Sequence, residues 1–257
     1  MTASPMLAAA LGERLGLEPT VIGEPSASSP TDWAAELEEA RPALQRMALH
    51  YDSYLAGRST PVAAISRCAV ALATLPVIAR HRPDAVVVWF DAHADLNTPA
   101  STETGYLGGL ALSGSLGLWT SGLGNGLADT NTILVGARDI DPFELQFLEE
   151  GRVKLIRVGP DMAELLGRAV AGRPVYAHID CDVLDPGIVP TDYRVSDGMT
   201  LEQLHECARV LAHSEVVGLE VGELESSDLN GSSSGQDARV IISALEPLIQ
   251  RIESSGL

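Results

Sequence analysis

Short runs of consecutive apolar residues alternate along this chain with longer stretches in which apolar positions recur every three or four residues. The runs at 61–65, 85–90, 132–136, 153–158, 175–179 and 216–221 read as buried strands, and a further short strand is expected at 20–23. The stretches 5–16, 32–56, 69–81, 141–150, 161–171, 200–213 and 238–253 read as helices. Thr31 and Thr200 stand where helix caps are expected, and Pro142 behind Asp141 takes a favoured first helical position. Residues 25–30 and 226–236 read as polar loops. Residues 97–126, rich in glycine, read as a long loop with a short helix near 107–117. Apolar strands alternating with amphipathic helices predict an α/β fold with a mainly parallel sheet, here as one domain over 1–257.

Polar residues gather where these strands end. Val86-Val87-Val88-Trp89-Phe90 runs into Asp91-Ala92-His93-Ala94-Asp95, and Val175-Tyr176-Ala177-His178-Ile179 runs into Asp180-Cys181-Asp182. Glu223 follows the strand 216–221. Side chains at i and i+2 of an extended chain share a face, so Asp91, His93 and Asp95 can converge, as can Asp180 and Asp182. Ligands of a parallel sheet bind outside the carboxyl ends of its strands, which is where these groups lie. Uncompensated carboxylates repel one another, and oxygen ligands with imidazole suit Mn²⁺ or a similar divalent ion. A pair of such ions would activate water at neutral pH and clamp a substrate.

Composition narrows the partners. The chain has 257 residues, a net charge of −18 and a hydrophobic share of 46%, enough for one large core. That charge disfavours nucleic acid and anionic membrane, and no apolar run is long enough to span a bilayer. Cys68, Cys181 and Cys207 form no CxxC pair, a pattern of intracellular, cytoplasmic proteins. The first residues lack a basic segment and read as a helix, not a signal peptide.

The motifs DAHADLNTP (91–99), GARDIDPFE (136–144), HIDCDVLDPG (178–187) and GLEVGEL (218–224) resemble, in identity and order, the arginase/agmatinase superfamily of ureohydrolases. The resemblance implies a three-layer α/β/α fold, two Mn²⁺ per chain, hydrolysis of a small guanidino substrate, and a homo-oligomer. It implies metal ligands at Asp91, His93, Asp95, Asp180 and Asp182, a guanidinium-holding carboxylate at Glu223, and a hydroxide held by Asp95. Asn97 and Thr104 match positions that meet an α-carboxylate. Asp141 matches one that meets an α-amino group, and Glu144 lies one helical turn on. The family usually begins with a strand and a GR-type segment. Here a helix comes first, so a shortened branch and an incomplete N-terminus both stay open.

Two departures stand out. The remaining family ligand is a histidine in a GGDHS segment, whereas this chain reads Ala64-Ile65-Ser66-Arg67-Cys68-Ala69, with Cys68 nearest the histidine's place. A thiolate is a softer ligand than imidazole, so one metal is expected to be weaker or different. Arginases also carry a proton-shuttling histidine after the DAHxD loop; the aligned position is Gly108 within Thr104-Gly105-Tyr106-Leu107-Gly108-Gly109. Together the departures resemble the arginase-like branch that cleaves N-hydroxyarginine in the D-cycloserine pathway. The expected activity is hydrolysis of N-hydroxy-L-arginine or L-arginine to ornithine plus hydroxyurea or urea. Agmatine, guanidinobutyrate or a catalytically silent paralogue are the alternatives.

Other polar residues have plainer readings. Cys181 and Cys207 are expected in the core, and His178 in structural hydrogen bonding. His50, His81, His205 and His213 read as solvated, as do Glu36, Glu38, Glu39, Glu149 and Glu150. The glycines at 122, 124 and 126 read as flexible loop, with no strand or lysine to make a phosphate loop.

Overall fold

A computed structural model describes residues 3–24, 32–226 and 234–255. The expected loop at 25–30, the cap Thr31 and most of the loop at 226–236 lie outside them. The chain runs α1 (Ser4–Leu15), α2 (Trp33–Ala56), β1 (Val62–Ala64), α3 (Ala71–His81), β2 (Val86–Phe90), α4 (Ala111–Ser115), β3 (Thr132–Val135) and α5 (Pro142–Glu149). It continues with β4 (Lys154–Ile156), α6 (Met162–Val170), β5 (Val175–Asp180), α7 (Leu201–Leu211), β6 (Val216–Gly222), α8 (Ser234–Ala244) and α9 (Glu246–Ser254).

The strands form one parallel sheet in the order β1-β6-β5-β2-β3-β4. Both faces are covered, which is why the strands read as continuous apolar runs rather than alternating ones. Val86, Val88 and Phe90 of β2 enter the core shared with α1, α6, α7, α8 and α9. Val87 and Trp89 enter the opposite core, beneath α2 and α3. The result is the expected three-layer α/β/α arrangement.

Topology sets the place of the site. From β2 the chain builds β3 and β4 on one side, then returns to lay β5 on the other side of β2. The strand order therefore reverses between β2 and β5, and the crevice beyond their carboxyl ends is where an open parallel sheet binds its ligands. Phe90 pairs with Ile179, which brings Asp91 level with Asp180, while Asp180 pairs with Gly222, one residue before Glu223. Three acidic segments far apart in sequence thus meet at one edge.

Some local expectations are corrected. Residues 20–23 form no strand: Val21 is 82% exposed, and the sheet edge at β1 pairs with β6 alone among the described residues. β-branched residues without a ladder partner do not hold a strand. Asp32 caps α2, its carboxylate accepting from the backbone N–H groups of Ala34 and Ala35. The single helix expected at 238–253 starts earlier and breaks at Leu245, because Pro247 cannot donate to the preceding turn and instead opens α9. The helix near 107–117 is a 3-10 turn, Gly108–Leu110, followed by the short α4. His81 is not free in solvent: its ring lies 2.7 Å from the Asp52 carboxylate. Glu36 is half-buried rather than fully solvated.

Candidate metal centre

Asp91 directly follows β2 with its side chain fully buried. Its Oδ2 accepts from the Trp89 indole N–H at 2.9 Å, and its Oδ1 accepts from the His93 backbone N–H at 2.7 Å. The His93 Nδ1 sits between two carboxylates, 3.3 Å from Asp91 Oδ1 and 3.1 Å from Asp182 Oδ2. Asp182 is fixed in turn by the Ala92 N–H, and Asp180 by the Asp182 N–H, at 3.0 and 2.8 Å. The short turn Cys181–Val183 after β5 makes this crossing of backbone and carboxylate possible.

Cys68 approaches from the other side, at the start of the turn that leads into α3. Its Sγ lies 3.1 Å from Asp180 Oδ2, 3.2 Å from His178 Nε2 and 4.0 Å from Asp91 Oδ2. His178 stacks flat on Trp89, ring centroids 3.5 Å apart, and its Nδ1 meets Glu220 at 2.7 Å. Thr74 and Tyr176 donate to the second oxygen of Glu220. His178 therefore has the structural hydrogen bond expected of it, and that bond holds a ring against the Cys68 sulfur.

Glu223 receives three donors: the Cys68 N–H and the Tyr106 hydroxyl on one oxygen, and Arg67 on the other, each at 2.9 Å. Asp95 and Glu223 both hold left-handed backbone, with φ of 53° and 58°. That conformation is uncommon for any residue other than glycine, and such strain clusters at functional sites.

The electrostatics match a cation site. Burial and the neighbouring Asp182 raise Asp91 above the ordinary carboxylate range. Burial and its acidic neighbours push Asp95 and Asp180 well above it. Burial also raises Glu223, against the opposing pull of Arg67. For Asp182, burial is outweighed by the bond to His93, and the carboxyl is lowered. Burial alone would lower the His93 imidazole, but the bonds to Asp182 and Asp91 push it up to about 12. The imidazolium thus supplies positive charge between two carboxylates that a divalent ion would otherwise supply. Among the described residues, three sets bring ligand atoms within 4.8 Å of one another: Asp91, His93 and Asp182; Cys68, Asp180 and Glu223; and Cys68, Asp91 and His178. Oxygen and imidazole donors fit Mn²⁺, and the one sulfur fits a softer ion better.

The other predicted residues fall in different surroundings. Asp95 is buried beside these sets and belongs to none of them. Glu144 is buried, and its two oxygens accept from the backbone N–H groups of Leu96 and Asp141, so it ties the loop after β2 to α5. Asn97 donates to Asp141 at 2.7 Å and accepts from Ser101. Thr104 is exposed and its hydroxyl accepts from the Tyr106 N–H. Reading the sequence missed Arg67, Tyr106 and Glu220, and Tyr193, whose ring meets that of His93 edge-on with centroids 5.1 Å apart. It also missed Arg138, whose guanidinium donates to the carbonyls of Asp182, Val195 and Ser196 and so staples the site loops together. Glu220 did carry a signal: an acid inside an apolar strand run must find buried partners.

Comparison with known proteins gives a consistent result. The model of the Arginase family matches residues 32–245. An N(omega)-hydroxy-L-arginine amidinohydrolase from Streptomyces lavendulae is 40% identical over 240 residues, 93% of this chain and 88% of that one. An arginase from Schizosaccharomyces pombe is 31% identical over 176 residues, 60% of this chain and 54% of that one. Among solved structures, arginase from Bacillus cereus superposes with a TM-score of 0.80 at 20% identity, covering 96% of this chain and 90% of that one. Proclavaminate amidino hydrolase from Streptomyces clavuligerus gives 0.66 at 22% identity, covering 82% and 71%.

Proposed function

Since the chain belongs to the arginase family, whose members depend on metal, we propose that this hydrolase of linear amidines cleaves N-hydroxy-L-arginine to ornithine and hydroxyurea. L-Arginine is the slower substrate in this reading. Tyr106 is the observation that carries it. A Cβ placed on Gly108 would stand 2.4 Å from the Tyr106 ring, so that ring fills the place where an arginase has its proton-shuttling histidine. A site without that shuttle suits a hydroxyguanidine, which is less basic than a guanidine and more readily met uncharged. The 40% identity to the hydroxyarginine amidinohydrolase supports the same choice.

The residues that would hold two Mn²⁺ are Asp91, His93, Asp95, Asp180 and Asp182, with Cys68 in the remaining place. When bound, such ions activate water and polarise the substrate. Glu223 and Tyr106 hold the nitrogen atoms of the substrate head and orient its carbon. Asn97, Thr104 and Asp141 receive the amino-acid end, while Glu144 keeps Asp141 and Leu96 in position. Water adds to the guanidino carbon, and the bond from that carbon to the side-chain nitrogen breaks. That nitrogen takes a proton by way of Asp95 or water and leaves as the amine of ornithine. Burial pushes the Tyr106 hydroxyl well above its ordinary value, so it keeps its proton and stays a donor to Glu223.

Three buried free cysteines fit a reducing compartment, and a cytoplasmic setting is part of the proposal. No helix among the described residues is long and apolar enough to cross a membrane. The test is product analysis by mass spectrometry after incubating Mn²⁺-loaded protein with N-hydroxy-L-arginine. Equal amounts of ornithine and hydroxyurea are expected. Metal-bound protein that yields neither would refute the proposal.

A further inference from the structure

Arg67 takes no part in the cation sets, yet it sits on the carboxylate expected to meet the substrate head. Its Nη1 donates to Glu223 at 2.9 Å and to Asp192 at 2.8 Å. Its guanidinium carbon lies 5.7 Å from the centre of the Tyr106 ring, whose hydroxyl binds the other Glu223 oxygen. Glu36 adds a third nearby acid. The Arg67 side chain is 28% exposed and that of Glu223 only 7%, so Arg67 is the more open member of the pair.

We propose that Arg67 is a positioning residue for specificity: paired with Glu223, it adapts the reacting end of the pocket to an uncharged hydroxyguanidine and against a guanidinium. The inference rests on the hydroxyguanidine reading above and deepens it. An arginine guanidinium stays charged at any working pH. One placed on Glu223 brings a second full positive charge beside Arg67, where like charges a few ångströms apart repel strongly. A neutral hydroxyguanidine donates to Glu223 and accepts from Arg67 without that repulsion.

The experiment compares wild type with Arg67→Met, Arg67→Gln and Arg67→Lys, each as full-length Mn²⁺-loaded protein with metal content and melting temperature checked. Ornithine release gives kcat/KM for N-hydroxy-L-arginine and for L-arginine. Calorimetry in the cold, where turnover is slow, gives the affinity for L-arginine. The two neutral variants should lower the hydroxyarginine-to-arginine ratio by about tenfold or more and bind arginine more tightly. Arg67→Lys, which keeps the charge, should keep the wild-type preference. Equal losses on both substrates would show that Arg67 merely anchors substrate, and would overturn the inference, as would an unchanged ratio. Wild-type protein that releases ornithine from neither substrate would sink the proposed function instead. Arginine affinity unchanged in Arg67→Met would then still refute the role of Arg67.

Discussion

Single residues decide what the crevice can bind. Cys68 packs at the margin of the apolar core, yet its sulfur lies within 3.2 Å of both Asp180 and His178. Cys68→Ser should remove one of two bound ions, read by metal analysis of the purified protein, and unchanged metal content would return Cys68 to a packing role. Gly108 is held by a neighbour: even a methyl group there would strike Tyr106. Gly108→Ala should therefore free the Tyr106 hydroxyl from Glu223 and lower turnover about tenfold or more, with the melting temperature little changed. Restoring a histidine at 108 would require Tyr106 to be replaced as well. The sequence reveals Asp91, His93, Asp180 and Asp182 because they cluster at the carboxyl ends of two apolar strands, which the sheet sets side by side. It hides the partners of Arg67, Tyr106 and Glu220, which lie 156, 117 and 42 positions away from them and depend on sheet order.

Elements were legible where burial was two-sided. β2, β5 and β6 are buried through their length because helices cover both faces, and their mostly apolar runs are read directly. The expected strand at 20–23 fails because propensity supplies no partner, and the last helix divides because one proline overrides a helical period. Turns at strand ends matter as much as the strands. Gly136 follows β3 with φ of 92°, and a Cβ there would lie 2.6 Å from Val183 Cγ2, beside Asp182. Gly136→Ala should destabilise the fold by about 2–4 kcal/mol, from backbone strain plus overpacking. Denaturant unfolding measures this; a loss under about 0.5 kcal/mol, the range of ordinary surface changes, would show that the turn relaxes freely.

The whole molecule carries a charge of −18, and part of it is concentrated at the site. Without a cation, burial and mutual repulsion raise Asp91, Asp95 and Asp180, and burial raises Glu223, so the folded state holds protons that the unfolded chain releases. Raised carboxylates cost stability as pH climbs above about 4, their unfolded value. A divalent ion pairs with the ionised forms and competes with protons, including the one on His93. The rise in Tm on adding Mn²⁺ should therefore grow from about pH 5 to about pH 8, and a constant rise would contradict this linkage. Surface carboxylates such as Asp52, held low by His81 and Arg80, act in the opposite direction but equally in both forms. The proposed substrate preference acts at one carboxylate, and direct competition measures it best. Mn²⁺-loaded protein is given N-hydroxy-L-arginine and L-arginine together at equal concentration, and hydroxyurea and urea are followed in the same tube. Hydroxyurea forming first, with urea appearing only as the hydroxylated substrate runs out, is the predicted result; urea forming first would contradict it.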